Sequence, residues 1–225
     1  MFSKTQIDRL GERLRKGAIE DSDLRLLDAY RRSFVPAYEV VNAVIKEIIA
    51  SKPTGRPAKS TTSIVEKLNR ETIRLTQMQD IAGCRLVVGP IWNQNKVVKL
   101  LKAKLKTVVV DRRKQPSNGY RAVHVIATAD DKPIEIQVRT TLQHLWAELS
   151  EKLADVVDPS IKYGGGPEEL RTFLDRLSKT IADVEALELQ RVSVGQRKEL
   201  RSVKQQLRKL LKDVIVDISK IKGGK

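Results

Sequence analysis

The stretch that decides the fold reads Tyr120-Arg-Ala-Val-His-Val-Ile-Ala-Thr-Ala129, then Asp130-Asp131-Lys132, then Pro133-Ile-Glu-Ile-Gln-Val-Arg139. Two runs rich in β-branched residues flank a polar turn, which predicts strands over 120–129 and 133–138 joined as an antiparallel hairpin. Upstream, 81–88 and 107–110 have the same character and enclose a helical pattern over 93–105, a strand-helix-strand unit. These strands belong to one small mixed sheet.

On both sides of this middle, apolar residues recur at three- and four-residue steps. Amphipathic helices are expected over 3–16, over 22–50 with a bend at Pro36, and over 62–74, with a boundary in Lys52-Pro-Thr-Gly-Arg-Pro57. After Thr140 the helical period returns through Leu142, Leu145, Leu149 and Leu153. Gly164-Gly-Gly-Pro167 breaks it before a long helix over 168–192 and a helical tail from Val194. The expected class is α+β: N-terminal helices over 1–51, a core over 52–163 and C-terminal helices over 164–225.

The chain has 225 residues, 40% of them hydrophobic, and carries a net charge of +15. That is enough to bury a core, and the charge favours a phosphate-rich partner. Over 191–225, eleven Lys or Arg face Glu199, Asp213 and Asp217, a local charge of +8. No stretch has the apolar length of a membrane span, and the first residues lack the apolar centre of a signal peptide. With Cys84 the single cysteine, a soluble cytoplasmic protein is expected, with no membrane partner. His124 and His144 are the only histidines, too few with one cysteine for a usual zinc site, so any metal would sit on carboxylate oxygens, as magnesium does.

Strand alternation over 133–139 puts Glu135, Gln137 and Arg139 on one face. Such a row is more often a solvated face than a site, and its company gives it meaning. Asp80 opens the 81–88 strand, so two carboxylates on one sheet could hold magnesium for phosphoryl chemistry. Arg56, Lys59, Ser63 and Lys67 lie at and beyond a helix start, a phosphate site on physical grounds. The basic loop from Asp111 to Tyr120 turns at Asn118-Gly119 and delivers an aromatic ring that could stack a base.

Five motifs stand in order: Arg56-x-x-Lys59-x-x-x-Ser63-x-x-x-Lys67, Asp80-Ile-x-Gly83-x-Arg85, Asn118-Gly-Tyr-Arg-x-x-His124, Glu135-Ile-Gln-Val-Arg-Thr140 and His144-x-x-x-Glu148. Together they resemble the synthetase domain of the RelA/SpoT family and its small alarmone synthetases. The resemblance implies a nucleotidyltransferase-like fold that moves pyrophosphate from ATP to the 3′-hydroxyl of GDP or GTP, making (p)ppGpp. It assigns Arg56, Lys59, Ser63, Lys67 and Arg85 to ATP. It makes Asp80 a Mg2+ ligand and Glu135 a second ligand or the general base. Lys114, Tyr120, Arg121 and His124 fall to the acceptor, with Gln137, Arg139 and His144 in support. Ala122 stands where many members carry serine, which bears on acceptor identity.

The family's separate hydrolase domain carries a His-Asp metal motif, and neither His124 nor His144 precedes Asp, so synthesis without degradation is expected. Other readings are an adenine acceptor, a toxin of the family that pyrophosphorylates the 3′ end of tRNA and has an antitoxin partner, and a non-enzymatic basic RNA-binding module. The tail cations Lys198, Arg201, Lys204, Arg208 and Lys209 are candidates for RNA contact, and the tail helix could equally serve homo-oligomerisation.

Overall fold

A computed structural model describes residues 2–49, 53–191 and 193–223. The order of elements is α1 (Lys4–Lys16), α2 (Asp21–Arg32), α3 (Val35–Ile48), β1 (Thr54–Arg56), α4 (Thr61–Arg70), β2 (Ala82–Val88), α5 (Ile91–Lys104), β3 (Thr107–Asp111), β4 (Val123–Ala129), β5 (Lys132–Thr140), α6 (Thr141–Val156), α7 (Glu168–Leu187) and α8 (Val194–Gly223). The class is α+β, with one five-stranded mixed sheet in the order β1-β2-β5-β4-β3 flanked by helices.

The central hairpin is as its sequence demands: β4 and β5 are neighbours, and Asp130 and Asp131 take φ of 47° and 57° in the turn. Aspartate tolerates this left-handed region better than most residues, and paired positive φ matches the strand twist. β2 and β3 are joined through α5 but have β5 and β4 between them in the sheet.

β1 is a strand where turn chemistry is expected. It pairs antiparallel with β2, Gly55 opposite Cys84 and Arg56 opposite Gly83. A Cβ on Gly55 would lie 2.6 Å from the Cys84 Cβ and 2.6 Å from the Gly83 carbonyl oxygen. A side chain there would prevent the pairing, which explains why so short and turn-like a segment can be a strand.

Other boundaries move for local reasons. The helix expected over 22–50 is two helices: the chain breaks at Ser33-Phe34, and Pro36 sits in the first turn of α3, where its missing N–H is harmless. Its expected end at Ala50 lies outside the described residues, as does the expected segment boundary at Ser51-Lys52. α4 stops at Arg70, where the Arg15 guanidinium takes the Leu68 carbonyl at 2.8 Å and that of Ile73 at 2.7 Å. α7 stops at Leu187, and Val192, the expected end, is outside the described residues. The 120–129 strand begins only at Val123, because Asn118 and Gly119 turn the chain with φ of 51° and 81° and Ser117 bridges Tyr120.

The chain groups into two compact units. The first comprises Met1–Leu86, Leu100–Val109 and Val125–Gln137; the second comprises Val87–Lys99, Val110–His124 and Val138–Lys225. In the first, α1 packs on α2 and α4, and Ile7, Leu10, Leu27, Phe34, Ile45, Ile64 and Leu68 are buried. In the second, α6 packs on α7 and α8 through Leu145, Trp146, Leu149, Ile181, Leu211 and Ile215.

Gly83 on β2 lies against β5: an added Cβ would sit 2.5 Å from the Glu135 carbonyl oxygen, a backbone atom that cannot step aside. Gly83→Ala is therefore expected to cost about 1–3 kcal/mol in urea unfolding. Gly89→Ala, whose Cβ would meet nothing within 4 Å, should change stability by less than about 0.5 kcal/mol.

Candidate active site

In the first unit the chain leaves β1 at Arg56 and is tied to the start of β2 by the Lys59 N–H, which donates to the Ile81 carbonyl at 2.6 Å. Ser60 then caps α4, accepting from the Ser63 N–H at 3.2 Å and donating to its hydroxyl at 2.8 Å. This short connection brings the two lysines to one carboxylate. Lys59 Nζ lies 2.7 Å from Asp80 Oδ2 and Lys67 Nζ 2.8 Å from Asp80 Oδ1. Burial pushes the Asp80 carboxyl up. The Lys67 charge and the hydrogen bonds from Lys59 and Lys67 outweigh that, so its pKa lies below the usual value and it stays ionised.

On β5, Gln137 donates to Glu135 Oε2 at 2.9 Å, the two side chains sharing a face as the alternation requires. Burial pushes the Cys84 thiol up to about 12, and the nearby Glu135 charge adds to the shift. Arg85, half-buried on β2, stands opposite Thr54. Asp80 and Glu135, the two carboxylates expected to hold magnesium, both lie in the first unit with Asp80 ionised, and magnesium usually takes one or two carboxylates plus substrate oxygens. Each Asp80 oxygen already accepts from an ammonium, so an ion would share those oxygens through their second lone pairs.

In the second unit Tyr120 is held from behind. Arg139, buried at 4% exposure, donates to its hydroxyl at 2.9 Å with the guanidinium 4.9 Å from the ring centroid, and His124 Nε2 lies 3.0 Å from the same hydroxyl. A guanidinium can only donate, so the hydroxyl accepts from Arg139, while the direction of its bond with the imidazole follows the tautomer of His124. Gly119 fits beside Trp146, where a Cβ would come within 2.7 Å of the indole, and its carbonyl accepts from the Ser178 hydroxyl at 2.5 Å.

Arg121 is committed to the protein. Its Nε donates to Ser178 Oγ at 2.9 Å and its NH1 to the Arg113 carbonyl at 2.6 Å, which anchors the loop to α7. Arg113, which the sequence offered only as one of several loop cations, grips Asp111 with two nitrogens at 2.9 and 2.7 Å and reaches Gln94 and Asn95. Lys114 is exposed at the same turn, and His144 is half-buried on the first turn of α6. Beneath them Glu185 of α7 accepts from Thr140 Oγ1 and, at 2.8 Å, from Gln143, and so fixes the junction of β5 and α6. Neither Ser178 nor Glu185 has a local sequence signal, since each acts on a residue more than 40 positions away. Of the tail cations, Lys204 pairs with Glu188, while Lys198 and Arg201 are exposed on α8.

Residues 55–154 match the family model described as the region found in RelA/SpoT proteins. The chain carries a RelA/SpoT region. It is 32% identical over 142 residues to the GTP pyrophosphokinase YjbM of Bacillus subtilis, covering 56% of this chain and 64% of that protein. An uncharacterised protein of Mycobacterium tuberculosis is 36% identical over 118 residues, 50% of this chain and 43% of the relative. The match thus spans less than half of the mycobacterial relative. The crystal structure of the small alarmone synthetase 1 from Bacillus subtilis bound to its product pppGpp superposes with a TM-score of 0.58 at 23% identity. That likeness covers 80% of this chain and 99% of the other, and it is one of fold.

Among the described residues no group of three or more His, Cys, Asp or Glu could hold a metal alone, and no helix is long and apolar enough to cross a membrane. The Asp80 cluster carries a pH signature. Because the folded-state pKa is depressed, its ion pairs stabilise the fold above the ordinary carboxylate range and are lost as the pH falls through the depressed value. Asp80→Asn should cost about 2 kcal/mol at pH 7 in urea unfolding. This is below a fully buried pair because the three side chains keep 12 to 20% exposure. The gap to the parent should narrow steadily below about pH 4.

Proposed function

We propose that the chain is an ATP-dependent pyrophosphotransferase that moves the β,γ-diphosphate of ATP to the 3′-hydroxyl of GDP or GTP, and that it synthesises without hydrolysing. The observation that carries this reading is the Lys59-Asp80-Lys67 cluster inside the RelA/SpoT region, where cations and an ionised carboxylate meet at a helix start. Relatives named GTP pyrophosphokinase support it.

In this scheme Arg56, Lys59, Ser63, Lys67 and Arg85 receive ATP and neutralise its triphosphate. The acceptor 3′ oxygen forms a bond to the β-phosphorus as the bond to the α,β-bridging oxygen breaks, and AMP leaves with that oxygen. Glu135, oriented by Gln137, takes the hydroxyl proton. A magnesium ion on Asp80 and Glu135 would supply further charge neutralisation at the phosphates. Tyr120 offers its ring to the acceptor base, with Arg139 and His124 holding it, and Lys114 takes an acceptor phosphate. Arg121 also fixes the loop, two of its nitrogens donating within the protein, and its remaining donors can meet an acceptor phosphate. His144 supports the site from α6.

A tRNA 3′ end is the second acceptor reading, favoured by the basic face of α8. Incubation with ATP labelled at the γ-phosphate and GDP, GTP, AMP, ADP or tRNA should label GDP and GTP. Label on tRNA alone overturns the nucleotide reading.

Asp80→Asn and Glu135→Gln, assayed where both are folded, should each lower turnover at least ~100-fold; near-parental rates in both would end the mechanism. Tyr120→Ala should raise the acceptor KM roughly tenfold or more, the scale of a lost base stack, with the ATP KM little changed. Tyr120→Phe keeps the ring and should keep most of the acceptor affinity.

A further inference from the structure

The second unit contains a cavity of about 850 Å³ lined by α8, by Gly89, Pro90 and Trp92 at the start of α5, and by Thr141 and Leu142 at the start of α6. None of its residues has a part in the nucleotide transfer proposed above, and its cations belong to the α8 face on which the tRNA reading rests. Arg201, Lys204, Arg208 and Lys212 line it at steps of three, four and four residues, so they form one stripe along α8, about 16 Å long at a rise of about 1.5 Å per residue. Lys209 joins them. Leu211 and Ile215, three residues beyond Arg208 and Lys212, are buried on the adjoining side of α8, and the stripe flanks that side, exposed at Arg201, Arg208 and Lys212 and half-buried at Lys204.

Two carboxylates, Glu188 and Asp213, also line the cavity. Glu188 is already engaged: it pairs with Lys204 and accepts from the Ile91 N–H at 3.2 Å, capping α5. The α5 terminus is thus satisfied, and any anion must be met by side chains. Among the described residues, Arg201, Arg208, Lys209 and Lys212 have no carboxylate within ion-pair distance. Crowding like charges on one stripe costs free energy that a polyanion would relieve. Trp92 is 56% exposed beside them, whereas the other tryptophan, Trp146, is 4% exposed.

The geometry points to a binding site for a single-stranded nucleic acid, with successive phosphates along the α8 stripe and one base stacked on Trp92. An aromatic ring beside a track of cations is the combination that holds single strands without reading sequence. A free mononucleotide would occupy one end of the stripe and leave the remaining cations unmatched, so a strand fits the spacing better.

The test uses the full chain without ATP, a fluorescent single-stranded RNA of about a dozen nucleotides, within the usual site sizes, and intrinsic tryptophan fluorescence. Expected results are binding that weakens steeply with salt and quenching of Trp92 emission. Trp92→Ala should weaken binding about tenfold. Arg201→Ala with Arg208→Ala should lower the slope of log affinity against log salt by about 1.4, at about 0.7 per phosphate released. Lys198→Ala, outside the cavity, should change little. All these side chains are exposed, and circular dichroism checks the fold.

The proposal is overturned if the strand does not bind at low salt, if the Trp92 and paired arginine variants bind as the parent does, or if Lys198→Ala weakens binding as much as they do. It is equally overturned if GTP or a polyglutamate peptide binds as tightly with the same dependence on Trp92. Because the readout is binding without ATP, its failure leaves the transferase reading intact, and the reverse holds too.

Discussion

Two ammonium groups closing on one carboxylate organise the first unit. Lys59 arrives from the segment between β1 and α4, Lys67 from the second turn of α4, and Asp80 from the approach to β2. Holding all three at 2.7 to 2.8 Å fixes where the short β1 strand ends, how α4 starts and where β2 begins. Lys67 also reaches Glu71 at 4.0 Å, so the two ammonium groups meet one close carboxylate and one more distant one. The same residues hold the local fold and belong to the proposed ATP site, so a substitution there is expected to be felt in both.

The second unit divides its cations differently. Arg113, Arg121 and Arg139 spend their donors on Asp111, Gln94, Asn95, Ser178, a backbone carbonyl and the Tyr120 hydroxyl. Planar guanidinium groups with several donors suit such bracing, whereas the ammonium of Lys114 remains exposed on its flexible stem. The loop that ends in Tyr120 is thereby braced by arginines, while Lys114 and the ring, the groups proposed to meet the acceptor, are left to do so. Preorganisation of this kind lowers the ordering cost of binding.

Much of this was legible in the sequence because it is local. The β4-β5 hairpin, the helical period of α1, α5 and α6, and the alternation that puts Glu135 beside Gln137 need only neighbouring residues to be read. The grouping of Lys59, Lys67 and Asp80 came from resemblance, and the structure supplies the contacts. What could not be read is long-range. β1 exists only because β2 offers a partner and Gly55 permits close approach. The bond from Arg121 Nε to Ser178, 57 residues away, is another such contact. Trp92 carries no signal in the sequence, and only the structure shows it exposed in the first turn of α5. Pro36 was a sound signal placed on the wrong side of a break, since proline opens a helix as readily as it bends one.

The flush packing of Gly55 on Cys84 has a practical side. The only thiol in the chain is 5% exposed, protonated at any physiological pH, and overlain by a strand of three residues. A thiolate-directed reagent can attack it only after the structure around it has opened locally. The speed at which an alkylating dye marks the untouched protein is thus a built-in clock for the opening of this part of the sheet, read without engineering a single residue.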